Sequence, residues 1–346
     1  MLKKGFLLLL LPLYLVLPVQ NIRAQATKRY QFTERMMGTR FQITFYASND
    51  SVAEAAARKA FRHTEKLNDI LSDYEAKSNL NRLTIRSGNG TFVPVHPALF
   101  RVISKAQQVA RQTGGAFDIT AGPFTKLWRK IRKSPHPQLP SPEVLDSLRK
   151  LVDYRFIAAD SARTAIALER PNMQLDLGGI AKGYAADEIL RVLNDMEIHS
   201  VLVNAGGDIR AGDAPPDEIG WTVSLPVHNS KGQRIHLNLQ LTNGAVATSG
   251  GLFQHVDIDG KSYSHIIDPH TGLGLDNQSR VTIVAPDGIT ADSYASAVSV
   301  LGAHRGRSFI ADKPGVAMRI EYKDGDKGEI QITSSSSFTT FIADGH

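Results

Sequence analysis

Residues 175–187 read Leu-Asp-Leu-Gly-Gly-Ile-Ala-Lys-Gly-Tyr-Ala-Ala-Asp. We predict that a strand ends in this stretch and that a helix begins in it, running from about residue 179 to residue 194. The first turn of a helix has unpaired N–H groups and the positive end of the helix dipole, so the Gly178-Gly179 turn could hold an anion, with Lys182 adding positive charge. The alternative is that the two glycines only allow close packing at a strand-to-helix turn.

The rest of the chain indicates the class of fold. The turn at Gly178 matches neither G-x-G-x-x-G nor G-x-x-x-x-G-K-[ST], so a standard Rossmann or P-loop assignment fails. A capping box of Ser51 and Glu54 and helical spacing elsewhere predict further helices, at about residues 51–73, 97–113 and 291–301. Alternating or β-branched runs predict strands at residues 201–203, 235–241 and 281–284. We therefore predict an α+β fold, a single large domain with mixed or antiparallel sheets and packed helices.

The composition excludes several classes of protein. Of 346 residues, 42% are hydrophobic and 21% are charged, which supplies a sizeable core and is not typical of a disordered chain. The chain has no cysteine, so a disulfide scaffold, a thiolate zinc site, a thiol nucleophile and a cysteine-anchored lipoprotein are all excluded.

Residues 1–24 are predicted to be a signal peptide. Lys3 and Lys4 precede a mostly apolar run, and small residues around Ala24 suit cleavage. The run is shorter than the roughly 20 residues of a membrane span, although an uncleaved N-terminal anchor is the alternative. Cleavage after Ala24 removes three bases and lowers the net charge from +6 to +3, so no nucleic-acid partner is implied. Both interpretations place the domain, residues 25–346, outside the cytoplasm: in the periplasm or on the outer face of the cytoplasmic membrane.

Asp292 and Ser296 lie four residues apart near the start of the helix predicted at residues 291–301. This spacing puts both side chains on one face within one turn. Mg²⁺ takes one or two protein oxygens and keeps its other positions for water and phosphate, so the pair suits a magnesium site. The alternative is an acidic residue favoured by the helix dipole together with an ordinary helix serine.

Two polar turns carry further candidates. His265 lies in the turn at residues 264–272, and because histidine can accept a proton from a hydroxyl near neutral pH, it is the candidate general base. Phe117 follows the predicted helix stop and could flank a planar ring. A turn contact for the histidine and a core position for the phenylalanine are the alternatives.

Two other segments are interpreted from their local sequence alone. Asp208 follows the predicted strand at residues 201–203 and either caps the neighbouring amides or contacts a ligand. Residues 129–140 are basic and contain three prolines, which predicts a surface excursion between elements.

The order of the motifs is more specific than any one of them. The chain contains, in succession, M-G-T, S-D-Y, T-G-G-A-F-D-I-T-A-G-P, L-D-L-G-G-I-A-K-G-Y-A-A-D, L-V-N-A-G-G-D-I, A-T-S-G-G, Y-S-H-I-I-D-P-H-T-G and A-D-S-Y-A-S-A. This succession resembles the ApbE family, the FAD:protein FMN transferases, over nearly all of residues 35–303. The resemblance implies an exported enzyme that binds FAD, uses Mg²⁺ and moves FMN onto a serine or threonine hydroxyl of a target flavoprotein, with release of AMP. The expected acceptor is a membrane subunit of a respiratory redox pump or another exported flavoprotein with a Ser/Thr acceptor motif.

The resemblance also assigns residues. Around FAD it implies Met37, Tyr74, Ala116, Phe117, Asp118, Asp176, Lys182 and Ile267. Around Mg²⁺ it implies Asp292, Ser296 and the backbone carbonyl of Gly179. Two positions depart from the family pattern: Ser296 stands where threonine is usual, and the A-T-S-G-G segment lacks the charged or aromatic residue that relatives often have after its first glycine.

Two other functions fit the same residues. In the first, water attacks in place of the acceptor hydroxyl, and the protein is a metal-dependent FAD pyrophosphatase that yields FMN and AMP. In the second, the protein is an exported flavin-binding module without catalysis.

Overall fold

An eight-stranded antiparallel sheet forms the centre of the protein. The structure is a computed structural model that describes residues 27–250, 255–277, 279–324 and 329–343, so the predicted signal peptide lies outside the described residues. The strands of the described part are β1 (Lys28–Met36), β2 (Thr39–Ala47), β3 (Val93–Pro94), β4 (Ile157–Asp160), β5 (Ala165–Leu168), β6 (Val201–Ala205), β7 (Asp208–Ala211), β8 (Trp221–His228), β9 (Arg234–Leu241), β10 (Ala245–Gly250), β11 (His255–Ile258), β12 (Lys261–Ser264), β13 (Arg280–Ala285), β14 (Ala317–Asp324) and β15 (Glu329–Ser334). Its helices are α1 (Asp50–Leu71), α2 (Asn79–Ile85), α3 (Pro97–Thr113), α4 (Gly122–Lys133), α5 (Pro142–Arg149), α6 (Ala181–Asn194) and α7 (Gly288–Ala311).

The strand order of the central sheet is β1-β2-β6-β7-β10-β13-β14-β15, and each neighbouring pair is antiparallel. Smaller sheets are formed by β3, β4 and β5, by the β8–β9 hairpin and by the β11–β12 hairpin. The predicted α+β fold is confirmed, and the sheets are antiparallel.

The two faces of the central sheet are covered differently. Strand residues such as Val203 and Ile283 pack into one core cluster with helices α1, α3, α6 and α7. Val284, the next residue along β13, points to the opposite face and packs against the β8–β9 hairpin in a second cluster with Trp221 and Leu239. Successive strand residues point to opposite faces, and because both faces are covered, every residue of β13 is buried.

Helices α6 and α7 cross in backbone contact. A Cβ atom added at Gly183 would lie 2.1 Å from the carbonyl oxygen of Gly288, and one added at Gly288 would lie 2.4 Å from the carbonyl oxygen of Gly183. Asp187 of α6 then accepts hydrogen bonds from the N–H groups of Gly288 and Ile289 at 2.8 and 2.9 Å, which caps the start of α7. Gly183 and Asp187 of the quoted stretch thus fix α6 on α7.

We predict that Gly183→Ala destabilises the protein. In an open helix this change gains about 1 kcal/mol of helix propensity, but here the new methyl group would overlap the Gly288 carbonyl. Forcing the two helices apart should cost on the order of 3 kcal/mol, more than the gain. Urea unfolding followed by circular dichroism measures the difference.

Gly244→Ala is the matched control, because a Cβ atom there would meet its nearest atoms at 3.6 and 3.7 Å, which is ordinary contact. The packing argument is wrong if both variants unfold at the same urea concentration.

The predicted helices exist, but their ends differ from the sequence prediction. Helix α3 begins at Pro97 and ends before Gly114, whose φ of 62° is left-handed, as the sequence indicates. Helix α1 begins earlier than predicted, because Asn49 caps it by accepting the N–H of Val52 at 3.0 Å, and the Ser51–Glu54 capping box is therefore wrong. Among the described residues, no helix combines the length and apolarity needed to cross a membrane.

The predicted strand before Gly178 is also wrong. Strand β5 ends at Leu168, residues 169–180 are irregular, and α6 begins at Ala181. The apolar residues Met173, Leu175 and Leu177 are buried, but they enter the core from a loop. Periodicity alone does not distinguish such a run from a strand.

Helix α4 corrects the prediction for residues 129–140. Residues 129–133 form the last part of this helix, and only residues 134–140 are irregular. Phe124 and Trp128 pack with Tyr263 and Ile267 in a third core cluster, and the indole N–H of Trp128 donates to the carbonyl oxygen of Gly272 at 2.9 Å. The prolines obscured the helical spacing of these apolar residues.

Candidate active site

All twelve site residues predicted from the sequence line one cavity of about 920 Å³. Its wall includes the β1–β2 turn, the loop after α1, the loop before α4, one face of α4, the starts of α6 and α7, and the loop after β12. This volume lies at the upper end of the range for small-molecule sites. The twelve are Met37, Tyr74, Ala116, Phe117, Asp118, Asp176, Gly179, Lys182, His265, Ile267, Asp292 and Ser296.

Met37 reaches the cavity from the tip of a tight hairpin. Met37 and Gly38 have φ values of 49° and 73° between the paired strands β1 and β2. Such a two-residue turn needs a positive φ at both positions and matches the twist of the strands. The hairpin lies beside the glycine turn between β6 and β7, since a Cβ atom added at Gly206 would lie 2.4 Å from the side chain of Thr39.

Lys182 stands between two carboxylates. Its ammonium nitrogen lies 3.0 Å from Oδ2 of Asp208 and 3.4 Å from Oδ2 of Asp292, and it donates to the carbonyl oxygen of Gly178 at 3.3 Å. Burial by itself would lower the pKa of Lys182, but the charges of Asp208 and Asp292 outweigh it and raise that pKa above its usual value. Lys182 therefore remains a cation inside the cavity wall.

Asp208 lines the cavity, whereas the sequence analysis left open whether it caps amides or contacts a ligand. The neighbouring amide is capped by Asn204, which accepts the N–H of Gly207 at 2.8 Å, while the Asp208 carboxylate faces Lys182. Burial raises the pKa of Asp208 to about 6, although the ammonium group acts in the opposite direction. No local pattern in the sequence marks this pairing, because it joins β7 to α6.

Asp292, Ser296 and the Gly179 backbone lie close together in the cavity wall. Asp292 and Ser296 are one turn apart on α7, and a Cβ atom at Gly179 would lie 2.7 Å from Oγ of Ser296, so the bare Gly179 backbone rests against that hydroxyl. Oδ2 of Asp292 also accepts the N–H of Gly183 at 3.0 Å. The set offers a carboxylate, a hydroxyl and a carbonyl, which are ligands that Mg²⁺ prefers.

Asp292 is not the dipole-favoured residue of the alternative interpretation. Helix α7 begins at Gly288, and Asp287 is its N-cap, accepting the N–H of Thr290 at 2.8 Å. Asp292 lies in the second turn and is buried. In the described parts of the chain, no group of three or more His, Cys, Asp or Glu side chains could hold a metal ion. The carboxylate nearest to Asp292 in the cavity wall is that of Asp208, which shares the Lys182 ammonium with it.

Asp118 and Phe117 shape the cavity wall. The Asp118 carboxylate accepts the N–H groups of Thr120 and Tyr154, both at 2.8 Å, and the Thr120 hydroxyl at 2.7 Å. Burial raises the pKa of Asp118 to about 6 against these hydrogen bonds. Phe117 is buried and packs beside Gly179, so it belongs to both the core and the cavity wall.

Arg129 is a site residue that the sequence analysis assigned to a surface excursion. Its guanidinium pairs with Asp73 and, at 3.0 Å, with Asp176, and it lies 4.3 Å from the ring centroid of Tyr74. Asp176 in turn accepts the N–H of Gly178 at 2.7 Å. The Arg129 side chain thus joins the loop after α1 to the glycine turn before α6. Thr125, Arg129 and Arg132 at helical spacing were the available signal.

Tyr74 is the exposed member of the site. Its side chain is 74% exposed and lines the cavity with one face toward Arg129. Burial of the hydroxyl raises the pKa of Tyr74, and the charge of Arg129 partly offsets this. An exposed aromatic ring at the rim of a cavity is available for stacking on a planar ligand.

His265 stands on a well-anchored loop. The N–H of Ser264 donates to the carbonyl oxygen of Leu275 at 2.7 Å, and the N–H of Leu275 donates to that of Ile266 at 2.9 Å. Ile267 from the same loop is buried against α4. The cavity thus combines an imidazole, a fixed ammonium and a set of hard oxygen ligands, which suits acid–base chemistry on an anionic substrate.

Known proteins are similar to this chain in sequence and in fold. The model for the ApbE family matches residues 37–320. The FAD:protein FMN transferase of Treponema pallidum (strain Nichols) is 30% identical over 304 residues, which are 84% of this chain and 83% of the relative. That of Escherichia coli (strain K12) is 24% identical over 326 residues, which are 93% of this chain and 92% of the relative. The solved structure of the flavin transferase ApbE from Vibrio cholerae has a TM-score of 0.81 and 26% identity, and the match covers 91% of this chain and 100% of that one.

Proposed function

This chain belongs to the ApbE family, and we propose that it moves FMN from FAD to a serine or threonine hydroxyl of an acceptor flavoprotein, with release of AMP. The observation that carries the proposal is the cavity in which Lys182, His265 and the oxygen set of Gly179, Asp292 and Ser296 meet. The chain is similar to FAD:protein FMN transferases, and the similarity covers most of the length of those relatives.

We propose that this oxygen set holds Mg²⁺. The fit rests on the kinds of oxygen present and on the close approach of the Gly179 backbone to the Ser296 hydroxyl. Serine in place of the usual threonine keeps that hydroxyl, with a less restricted χ1. Bound there, the ion would screen the negative charge of a diphosphate.

Other residues of the cavity wall would bind the rings and the phosphates of FAD. Tyr74 and Phe117 offer aromatic faces for the planar rings of FAD, and Lys182 provides a buried positive charge for its phosphates. Arg129 keeps Asp176 and the glycine turn in place under the ligand. Because these contacts hold the charged groups in fixed positions, little reorganisation is needed at the moment of reaction.

The transfer step balances as a displacement at phosphorus. The acceptor oxygen forms a bond to the phosphorus of the FMN half, and the anhydride P–O bond to the AMP half breaks. AMP leaves with the bridging oxygen. The hydroxyl proton passes to a ring nitrogen of His265, because an imidazole in the cavity wall can accept a proton near neutral pH.

The test measures AMP release with and without an acceptor. The purified protein is incubated with FAD and Mg²⁺ alone or with a co-expressed candidate flavoprotein, AMP is quantified, and the acceptor is examined by mass spectrometry. We expect AMP release to depend on the acceptor and the acceptor to gain covalent FMN. An acceptor with its hydroxyl residue changed to alanine is the control.

The two alternatives predict other results. Equal AMP release in both tubes identifies an FAD pyrophosphatase. Tight FAD binding without AMP in either tube, unaffected by a chelator, identifies a flavin-binding module.

We also propose that the domain, residues 25–346, acts outside the cytoplasm on an exported or membrane flavoprotein, such as a subunit of a redox pump. The support is the basic start and apolar run of residues 1–24. N-terminal sequencing of the protein from the periplasmic and membrane fractions tests this, and an intact N-terminus on soluble cytoplasmic protein would contradict it.

A further inference from the structure

Helix α4 presents three distinct faces. Phe124, Trp128 and Ile131 pack in the third core cluster. The next positions along the chain, Thr125, Arg129 and Arg132, line the cavity. The following positions, Lys126, Lys130 and Lys133, repeat the same spacing of four and three residues, so they form one stripe beside the cavity-lining face. We call Lys126, Lys130 and Lys133 the outer stripe.

The outer stripe is a concentration of positive charge. Helix α4 has five basic residues and no acidic residue, whereas the whole chain has an excess of six bases over acids. Within the described part of the chain, Arg129 is the basic residue of this helix that forms ion pairs with carboxylates. Lys130 and Lys133 are exposed. Nη1 of Arg132 is buried and has no hydrogen-bond partner among the described residues.

The position of the outer stripe favours a macromolecular partner over FAD. The three lysines do not line the cavity, so a ligand contained in the cavity does not reach them. An acceptor protein must insert its hydroxyl into the cavity while the rest of its chain remains outside. Helix α4 borders the cavity and packs on the loop that carries His265, through Trp128 and Ile267. An acceptor chain that leaves the cavity over helix α4 would pass the outer stripe.

We propose that the outer stripe docks an acidic segment of the acceptor protein next to the hydroxyl that receives FMN. This inference rests on the proposed function. Exposed charge pairs contribute little affinity each, about 0.2–1 kcal/mol. A matched patch nevertheless accelerates encounter and selects the orientation of the partner, and this effect falls as salt rises.

The first experiment measures binding, and it needs no knowledge of the natural acceptor. The probe is a fluorescein-labelled synthetic peptide with a single threonine between runs of aspartate, and a second peptide has asparagine in place of each aspartate. Both are titrated into the full chain saturated with FAD. We expect the acidic peptide to bind more tightly, and the Lys130→Glu/Lys133→Glu double variant to bind it about tenfold more weakly.

The matched control is Lys59→Glu/Lys66→Glu, which reverses two exposed charges on α1 that do not line the cavity. The control changes the net charge by the same amount, so it accounts for attraction by the whole protein. Equal weakening in both double variants, or no preference of the wild type for the acidic peptide, overturns the proposal. Lys130→Arg/Lys133→Arg should retain binding, because it keeps the charge.

The second experiment uses the transfer reaction itself. With an acceptor that wild-type protein flavinylates, Lys130→Glu/Lys133→Glu should raise KM for the acceptor about tenfold and leave KM for FAD unchanged. A raised KM for FAD would mean that the stripe attracts FAD, and binding to anionic lipid vesicles without an acceptor effect would mean that it attracts a membrane; either overturns the proposal. Failure of the proposed function appears separately, as wild-type protein that flavinylates no acceptor.

Discussion

Replacing Asp292 with asparagine is expected to lower the rate of FMN transfer by about 10³-fold or more, because the variant lacks the one carboxylate of the oxygen set and a loss of about 4 kcal/mol in transition-state stabilisation corresponds to that factor. The asparagine oxygen can still accept the N–H of Gly183, and Lys182 keeps Asp208 as a partner, so the protein should fold and bind FAD. Single-turnover kinetics with saturating FAD and Mg²⁺ measure the loss.

Asp312→Asn provides the control for this prediction. Asp312 is exposed at the end of α7, beyond the kink at Gly302, and it does not line the cavity, so the change removes an equal charge without touching the site. FAD affinity, measured by the quenching of flavin fluorescence, should change little in both variants. Wild-type turnover in Asp292→Asn would remove the proposed metal site, and loss of FAD binding would show that Asp292 acts on the nucleotide instead.

Replacing His265 with glutamine is expected to lower kcat by about 10²- to 10⁴-fold, the usual contribution of a general base. The acid limb of the pH–rate profile should also disappear, because glutamine has no proton to lose before it contacts the acceptor hydroxyl. FAD affinity should be retained, because Lys182, Tyr74 and the glycine turn are unchanged. Stopped-flow transfer assays across the pH range measure both effects.

His270→Gln separates the base from the loop. His270 is exposed, lies five residues further along the same anchored loop and is absent from the cavity wall. We expect it to retain the wild-type rate and profile. A His265→Gln variant that keeps the acid limb of the profile would show that another group accepts the proton.

The candidate site residues come from sequence motifs and from the resemblance built on them, and their roles in binding FAD and Mg²⁺ stay predictions. Glycine pairs, a carboxylate and hydroxyl four apart and a histidine in a polar turn can be recognised before the fold is known. All of these residues reach the same cavity. The contacts between the motifs could not be predicted: the Lys182–Asp208 pair and the Arg129 bridge join residues that are 26 and 47 or more positions apart and depend on how the helices pack.

Local sequence likewise predicts the ends of some helices and strands but not of others. Pro97 and Gly114 mark the ends of α3 because proline and glycine restrict or release the backbone locally. Residues 173–177 resemble a strand in composition, but tertiary packing holds them as a loop. Asn49 was missed because two candidate caps stand two residues apart and local rules rank them equally.

The backbone contact between Gly183 and Gly288 has a consequence for how the protein can diverge. Two glycine backbones in contact set the separation of the helices that carry Lys182 and Asp292, so that separation does not depend on the sizes of the surrounding core side chains. Substitutions that change the size of core side chains elsewhere should therefore leave the spacing of the ammonium and the carboxylate little altered. The positions that the packing holds fixed are the two at which no side chain fits.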